Sequence, residues 1–188
     1  ERGARAENVK VAGQSFDEVP IEASAQKSQL LDVCLQNKIT SLDLSKTNFV
    51  KKDNFEISEE VFSADLVINL PILKVGKASA SENLFRFLKK ENYLGLKYLS
   101  SDEEIFQGLT KFLPPILTLA DAQNVQKQDQ FVAFLGLIFA SFNSLNLDRV
   151  FAEITGGKLP EFLKSVKIEN IPIIGRKIEE VELRLEKD

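Results

Sequence analysis

The sequence predicts an α/β fold, a mainly parallel sheet with helices on both faces in a single three-layer domain. Short apolar segments of strand length alternate along the chain with segments whose apolar residues recur at helical spacing, which is typical of such folds. Two of the apolar segments, residues 66–70 and 116–119, are nearly continuous, which indicates strands covered on both faces. We expect right-handed crossovers between the parallel strands.

The first third of the chain carries short periodic signals. Residues 8–12 alternate with a period of two, as a strand does, whereas residues 20–37 have apolar residues at helical spacing. A hydroxyl caps free backbone amides, so Ser58 is expected to begin a helix. These signals predict strands at 8–12 and 41–44, a helix at 20–37, an edge strand or extended loop at 49–57, and a short helix from 58 to 64.

Capping patterns define the later helices. Residues 79–82 and 101–104 each place a glutamate three positions after a serine, which is the pattern of a capping box. Proline cannot continue a helix, so the second of these helices ends before Pro114. The remaining signals predict a strand at 116–119 that ends at Asp121, a strand within 134–142, a helix at 147–154 closed by Gly156-Gly157, and late strands at 171–175 and 181–185.

Residues 1–188 are expected to form one domain, because no linker, repeat or low-complexity stretch interrupts them. The chain contains no methionine, which suggests a processed chain, a fragment, or a portion of something longer that lacks its N-terminal part. The longest apolar run, residues 131–142, is too short to span a bilayer, so we expect no membrane partner.

Composition excludes several classes of function. A net charge of -4 gives no basic surface for nucleic acid. The absence of histidine removes the usual serine–histidine and cysteine–histidine nucleophiles. A single cysteine, Cys34, allows no internal disulfide and no structural zinc site. We therefore expect a reducing, cytoplasmic location, with Cys34 as a buried apolar residue rather than a reactive thiol.

Two strand ends carry polar residues that could bind a ligand, because ligands settle beyond the carboxyl ends of strands in α/β sheets. Lys74 and Lys77, followed by the amides of a helix that begins near Ser79, suit a small anion. A solvated loop in which Ser79 merely caps the helix is the alternative. Asp121 could hold a cation, act as a base or cap the next segment. Asp148 is a further candidate, although a first-turn acid favoured by the helix dipole is the simpler interpretation.

Residues 63–74 resemble the bacterial and archaeal domain-of-unknown-function family 362. Members read aspartate, an apolar strand, asparagine, proline, lysine, any residue and histidine, and Asp65, Asn69, Pro71 and Lys74 match the first part of this motif. The resemblance implies a prokaryotic source and an α/β fold. Further matches are Asn83-Leu84-Phe85, which resembles the end of the family's lysine–asparagine–leucine motif, residues 119–122, residues 141–148 and Ile174-Gly175.

The chain departs from the family at three positions. Gly76 stands where the family has histidine, Glu82 stands where it has its second lysine, and Asn143 replaces an aspartate. Replacing lysine with glutamate reverses the local preference for charge. The resemblance therefore implies a divergent member that binds a small anion weakly or has lost catalysis.

Two hypotheses on function, from different classes of protein, follow from the sequence, and a third ranks below them. In the first, Lys74 and Lys77 attract a small anionic ligand, Asn83 hydrogen-bonds it, and Asp121 orients a lysine or holds a cation. In the second, the chain is a structural or homo-oligomeric domain without a ligand, and an apolar surface mediates contact. The third is an enzyme that uses only lysines and carboxylates. The residues expected in the apolar surface are Phe131, Phe134 and Phe139. The sequence identifies no cofactor.

Overall fold

The structure is a computed structural model that describes residues 3–17, 19–127, 130–181 and 183. The chain divides into two compact units, which are described separately: residues 1–63 with 86–99, and residues 64–85 with 100–188. The prediction of a single domain over residues 1–188 stays a prediction.

Strands and helices follow one another along the chain, which confirms a fold that contains both helices and sheets. The strands are β1 (Lys10–Gly13), β2 (Thr40–Asp43), β3 (Phe49–Lys52), β4 (Phe55–Ser58), β5 (Val67–Asn69), β6 (Ile72–Lys74), β7 (Ile116–Lys127) and β8 (Gln130–Ser141). The α-helices are α1 (Ile21–Lys27), α2 (Leu30–Gln36), α3 (Glu59–Phe62), α4 (Ser79–Asn83), α5 (Lys90–Leu99), α6 (Asp102–Thr110), α7 (Ser144–Thr155) and α8 (Ile178–Val181). Short 3₁₀ helices occupy Ala6–Asn8, Leu44–Lys46, Leu84–Phe87, Glu161–Leu163 and Ile168–Asn170. None of the helices in these described ranges is long and apolar enough to cross a membrane.

The first unit contains a parallel strand pair and a hairpin. β1 and β2 pair in parallel, with α1 and α2 between them in the chain. The single helix predicted at 20–37 is wrong, because Gln29 adopts a left-handed conformation (φ 61°) that separates α1 from α2. Cys34 is 2% exposed, as predicted. Residues 49–57 form most of the antiparallel hairpin of β3 and β4, and the Ser58 hydroxyl lies 2.8 Å from Thr47 Oγ1 rather than capping α3.

The sheet of the second unit is built around β7. β8 pairs antiparallel with residues 118–127 of β7, so β5 and β6 lie one after the other along its opposite edge, both parallel to it. The sheet is therefore mixed, and the expected mainly parallel sheet is not confirmed. The prediction that the strand ends at Asp121 is wrong, because Asp121 pairs with Ile138 of β8 and the ladder continues to Lys127.

Alternation along β7 gives this sheet a covered face and an open face. Thr118, Ala120 and Ala122 point to the covered face, where they are buried. α4 and α7 pack on this face around an apolar core of Leu73, Val75, Ala80, Ala120, Ala122, Val125, Leu147 and Phe151. On the open face, Ile72 is 58% exposed and Ile138 is 71% exposed. The expectation of helices on both faces is therefore not confirmed for this sheet.

Of three predicted signals at helix ends, the structure confirms two. The capping box at Ser101 is present, since its hydroxyl accepts from the Glu104 amide and Glu104 accepts from the Ser101 amide. The box at Ser79 is absent, because α4 begins after Ala78 and the Ser79 hydroxyl binds the Lys74 amide instead. α7 ends at Gly156 in a left-handed conformation, as predicted.

The late strand predicted at 171–175 is wrong. Residues 171–175 form no strand, since Pro172 cannot donate to a ladder and Ile174 is 99% exposed. Val181 ends α8, and the rest of 181–185 lies outside the described residues except Leu183.

We predict that Phe151→Ala lowers the free energy of unfolding by about 3–5 kcal/mol, because its 2% exposed ring fills the core of the covered face. Ile174→Ala is the control and should change it by less than about 0.5 kcal/mol, since this side chain is 99% exposed. Urea denaturation of both variants measures the difference. Equal losses would contradict the assignment of the core.

Candidate functional site

A group of buried polar side chains lies on the covered face, beneath α4 and α7. Asn69, at the end of β5, is 3% exposed; its Nδ2 donates to the Ala80 carbonyl at 2.9 Å and to Thr118 Oγ1 at 3.2 Å. Its Oδ1 accepts from Asn83 Nδ2 at 2.7 Å. The Thr118 and Ser144 hydroxyl oxygens are 2.9 Å apart, which joins β7 to the first turn of α7. With the contacts of Asp148 below, these residues form what we call the polar cluster: Asn69, Ser81, Asn83, Thr118, Ser144 and Asp148.

Asp148 joins α7 to the first turn of α4. Its side chain is 0% exposed, and Oδ1 accepts from the Ala80 amide at 2.9 Å. Oδ2 accepts from the amide and the hydroxyl of Ser81, both at 2.8 Å. The interpretation of Asp148 as a first-turn acid is wrong, because α7 begins at Ser144 and places Asp148 in its second turn.

Burial controls the protonation of this carboxyl group. The pKa of Asp148 is raised from 3.8 to about 7, chiefly because burial removes the carboxyl group from water, and the negative charge of Glu82 contributes in the same direction. The three donors from Ala80 and Ser81 lower the pKa, but less than burial raises it. The group therefore exchanges a proton near neutral pH while it is held inside the fold.

Because of Asp148, the helix amides expected to bind an anion already have a hydrogen-bond partner. The Ala80 and Ser81 amides at the start of α4 already donate to the protein's own carboxylate. α4 is only 5 residues long, so it contributes a small dipole. The internal carboxylate occupies the position that an external anion would need.

Lys74 and Lys77 belong to one turn that follows β6. The Lys74 amide donates to Ser79 Oγ at 3.1 Å, and the Lys74 carbonyl accepts from the Lys77 amide at 3.2 Å. Lys74 is half-buried and Lys77 is exposed. The structure thus brings these two predicted site residues to the same end of one strand.

Asn83 and Asp121 are not brought together. Asn83 reaches Asn69 and the polar cluster on the covered face. Asp121 is exposed and lies three positions beyond the buried Thr118 on β7, so its side chain projects from the open face. Its Oδ1 accepts from the Gln123 amide at 2.7 Å. Lys74 also projects from the open face. Leu73, its neighbour in β6, is buried in the core on the covered face, and successive residues of a strand point to opposite faces.

Sequence reasoning identifies three of the six residues of the polar cluster but not their arrangement. Asn69 stands out as a motif residue, and Asn83 and Asp148 as candidate site residues, whereas Thr118 and Ser144 carry no signal of their own. Small polar residues in apolar segments carry no pattern that distinguishes a buried partner from a surface residue. The one usable signal was the quoted resemblance, because Asn69, Asn83 and Asp148 come from three of its separate segments and lie together in the structure.

No family model matches the chain, and the searches of curated proteins and of solved structures find no significant match. The resemblance to family 362 therefore rests on the quoted residues and stays a prediction. Within the part of the chain that the structure describes, no three histidine, cysteine, aspartate or glutamate side chains are grouped to hold a metal ion.

We predict that stability depends on pH through Asp148. Its pKa is raised on folding, so its protonated form stabilises the fold below pH 4 and this contribution is lost as the pH rises to about 7. Asp148→Asn should remove that loss, which amounts to at most about 1.4 kcal/mol per pH unit. The measurement is urea denaturation of parent and variant between about pH 4 and pH 8.

Ser81→Ala is the control for this experiment, because it removes one hydroxyl donor but keeps the buried carboxyl group. It should lower stability and keep the slope with pH. A parent and an Asp148→Asn variant with the same pH dependence would contradict the account.

Proposed function

We propose that this chain is a structural domain that associates with a second copy of itself through the sheet of its second unit, without a ligand. The observation that carries the proposal is the composition of β8. This strand of 12 residues contains no charged residue and no proline, and no charge follows it until Asp148. Exposed edge strands usually carry such residues because they prevent association.

The side chains of β8 support this proposal. Phe131 is 64% exposed, Phe134 is 67% exposed and Ile138 is 71% exposed, and Phe142 directly after the strand is 75% exposed. Contiguous apolar surface of this kind marks contact sites in proteins. Phe139, which the sequence placed in the same surface, lies instead on the covered face, where its ring meets Phe151 edge-to-face at 6.2 Å.

The closed polar cluster supports a function without a ligand at that place. Every buried side-chain oxygen and nitrogen of the cluster has a hydrogen-bond partner within the protein. A site built for a ligand leaves donors or acceptors that the ligand satisfies. Together with Gly76 and Glu82, which replace the family's histidine and lysine, this favours a scaffold over an enzyme that relies on lysines and carboxylates.

A small anion at the turn of Lys74 and Lys77 is the second candidate. The observation in its favour is the Ser79 hydroxyl, which holds the Lys74 amide and so fixes the turn that carries both lysines. Asn83 takes no part in this version, since it binds Asn69 on the covered face, whereas Lys74 and Asp121 both project from the open face. The interaction would be one of surface charge, and we expect it to be weak and sensitive to salt.

The remaining proposals concern the setting of the protein. The buried Cys34 supports a reducing compartment, and we propose the cytoplasm. The net charge of -4 supports partners other than nucleic acid.

We predict that the parent chain changes from monomer to dimer between about 1 and about 100 µM, the range expected for an interface of modest size. Ile138→Lys should remain monomeric over the same range, because it places a charge in the apolar surface. Sedimentation equilibrium measures both masses, and circular dichroism confirms that the variant is folded.

Leu99→Lys is the matched control, since Leu99 is 85% exposed but lies at the end of α5 in the first unit. It should dimerise as the parent does. A parent that stays monomeric at every concentration would overturn the proposed function.

We predict further that phosphate or citrate leaves the thermal midpoint of the parent unchanged beyond the effect of ionic strength, as a domain without a ligand requires. Scanning calorimetry with each anion, against chloride at equal ionic strength, measures this. A specific rise that Lys74→Ala abolishes and Lys27→Ala keeps would instead establish the anion site.

A further inference from the structure

The open face of the sheet and the outer edge of β8 differ in the free energy that association through them would cost. A partner stacked on the open face would cover Asp121, which lies between Ile72 and Ile138 in one row across the sheet. Burying this exposed carboxylate away from water is strongly unfavourable. The outer edge of β8 carries no charge at all, so association along this edge avoids that cost.

We infer that β8 pairs antiparallel with β8 of a second copy about a two-fold axis, which joins the two sheets edge to edge; this inference rests on the proposed function. Along the described residues, β8 pairs with β7 on one side and with no strand on the other. An antiparallel pair of identical strands is symmetric, so one edge satisfies both copies and the assembly closes as a dimer. A second copy therefore needs no surface other than β8.

Gly136 limits the length of the paired segment. Its φ of +67° and the register shift of the β7–β8 ladder between Ala122 and Asn124 interrupt the regular strand. From Leu137 to Ser141, β8 keeps an unbroken register with β7. The regular segment 137–141 is therefore the part of the edge that can template a second strand.

The sizes of the side chains indicate the register. Positions 138 and 140 are both exposed and differ in size, isoleucine against alanine. Antiparallel pairing centred on Phe139, the midpoint of the regular segment, places Ile138 opposite Ala140 of the second copy. The large side chain then meets a small one, and cross-strand neighbours of this kind pack without collision.

The area that this contact buries sets its strength. The regular segment 137–141 covers only five residues of each copy, and Ile138 is its one strongly exposed large apolar side chain. A standard stable interface buries about 800 Å² on each partner. The dimer is thus expected to be reversible and dependent on concentration rather than permanent.

Disulfide trapping tests the inference. On a Cys34→Ser background, Ile138→Cys, Ala140→Cys and Ile72→Cys are each oxidised mildly at a concentration where the parent is dimeric, and Ile138→Cys is also mixed with Ala140→Cys. Cross-strand Cβ atoms lie about 4.5–5.5 Å apart, close enough for a disulfide after a small adjustment. We expect the mixture to give at least five times more linked dimer than Ile72→Cys, with a lower yield from either β8 variant alone.

The outcomes separate the two levels of the proposal. If Ile72→Cys links as well as the mixture, or if the dimer persists with no link at positions 138 and 140, edge pairing is overturned and association through another surface stands. If the Cys34→Ser background is monomeric by sedimentation at every concentration, as the parent would then also have to be, the proposed function itself fails. If either β8 variant alone links best, the register centred on Phe139 is wrong.

Discussion

The alternation of side chains along β7 is the constraint on which the second unit depends. Thr118, Ala120 and Ala122 face the helices, whereas Asp121 faces away from them. Successive residues of a strand point to opposite faces, so one strand separates an internal polar cluster from an exposed apolar surface. Polar residues that are close in sequence, such as Thr118 and Asp121, therefore lie in two different environments, one buried and one exposed.

Asp148 joins the two helices that pack on the covered face. It connects the second turn of α7 to the first turn of α4, and Asn69 connects the same part of α4 to β5 and β7. Small buried residues and short polar side chains make this close approach of helix and sheet feasible. A buried carboxyl group with three donors stabilises one arrangement of these elements, since any other arrangement would leave its oxygens or the helix amides unpaired.

Local features were predictable where chemistry within a few residues decides the structure. The capping box at Ser101, the left-handed end of α7 at Gly156 and the burial of Cys34 follow from short-range sequence signals. Two of the failures have a common cause in long-range contacts. β7 extends beyond Asp121 because β8 pairs with it, and Ser79 binds Lys74 rather than its own helix because the turn after β6 brings the Lys74 amide close.

The candidate site shows the same limit. The sequence places Lys74 and Lys77 in the loop after the strand at 66–70, whereas in the structure Lys74 ends a further strand, β6, that the sequence does not predict. It could not reveal that Asp148 occupies the amides of α4, because residues 80 and 148 are distant in the chain and neither has a distinguishing pattern. Without the contact to Asp148, the free amides at the start of α4 would suit an anion. With it, the same amides connect α4 to α7.

The central claim is that β8 presents an edge that a second copy covers. Hydrogen–deuterium exchange of the amides in residues 130–141, measured at about 1 and about 100 µM protein, tests it most directly. The account predicts slower exchange in β8 at the higher concentration, strongest within 137–141, while the amides of α7 exchange at the same rate at both. Exchange in β8 that is independent of concentration, in a sample shown to be folded, would contradict it.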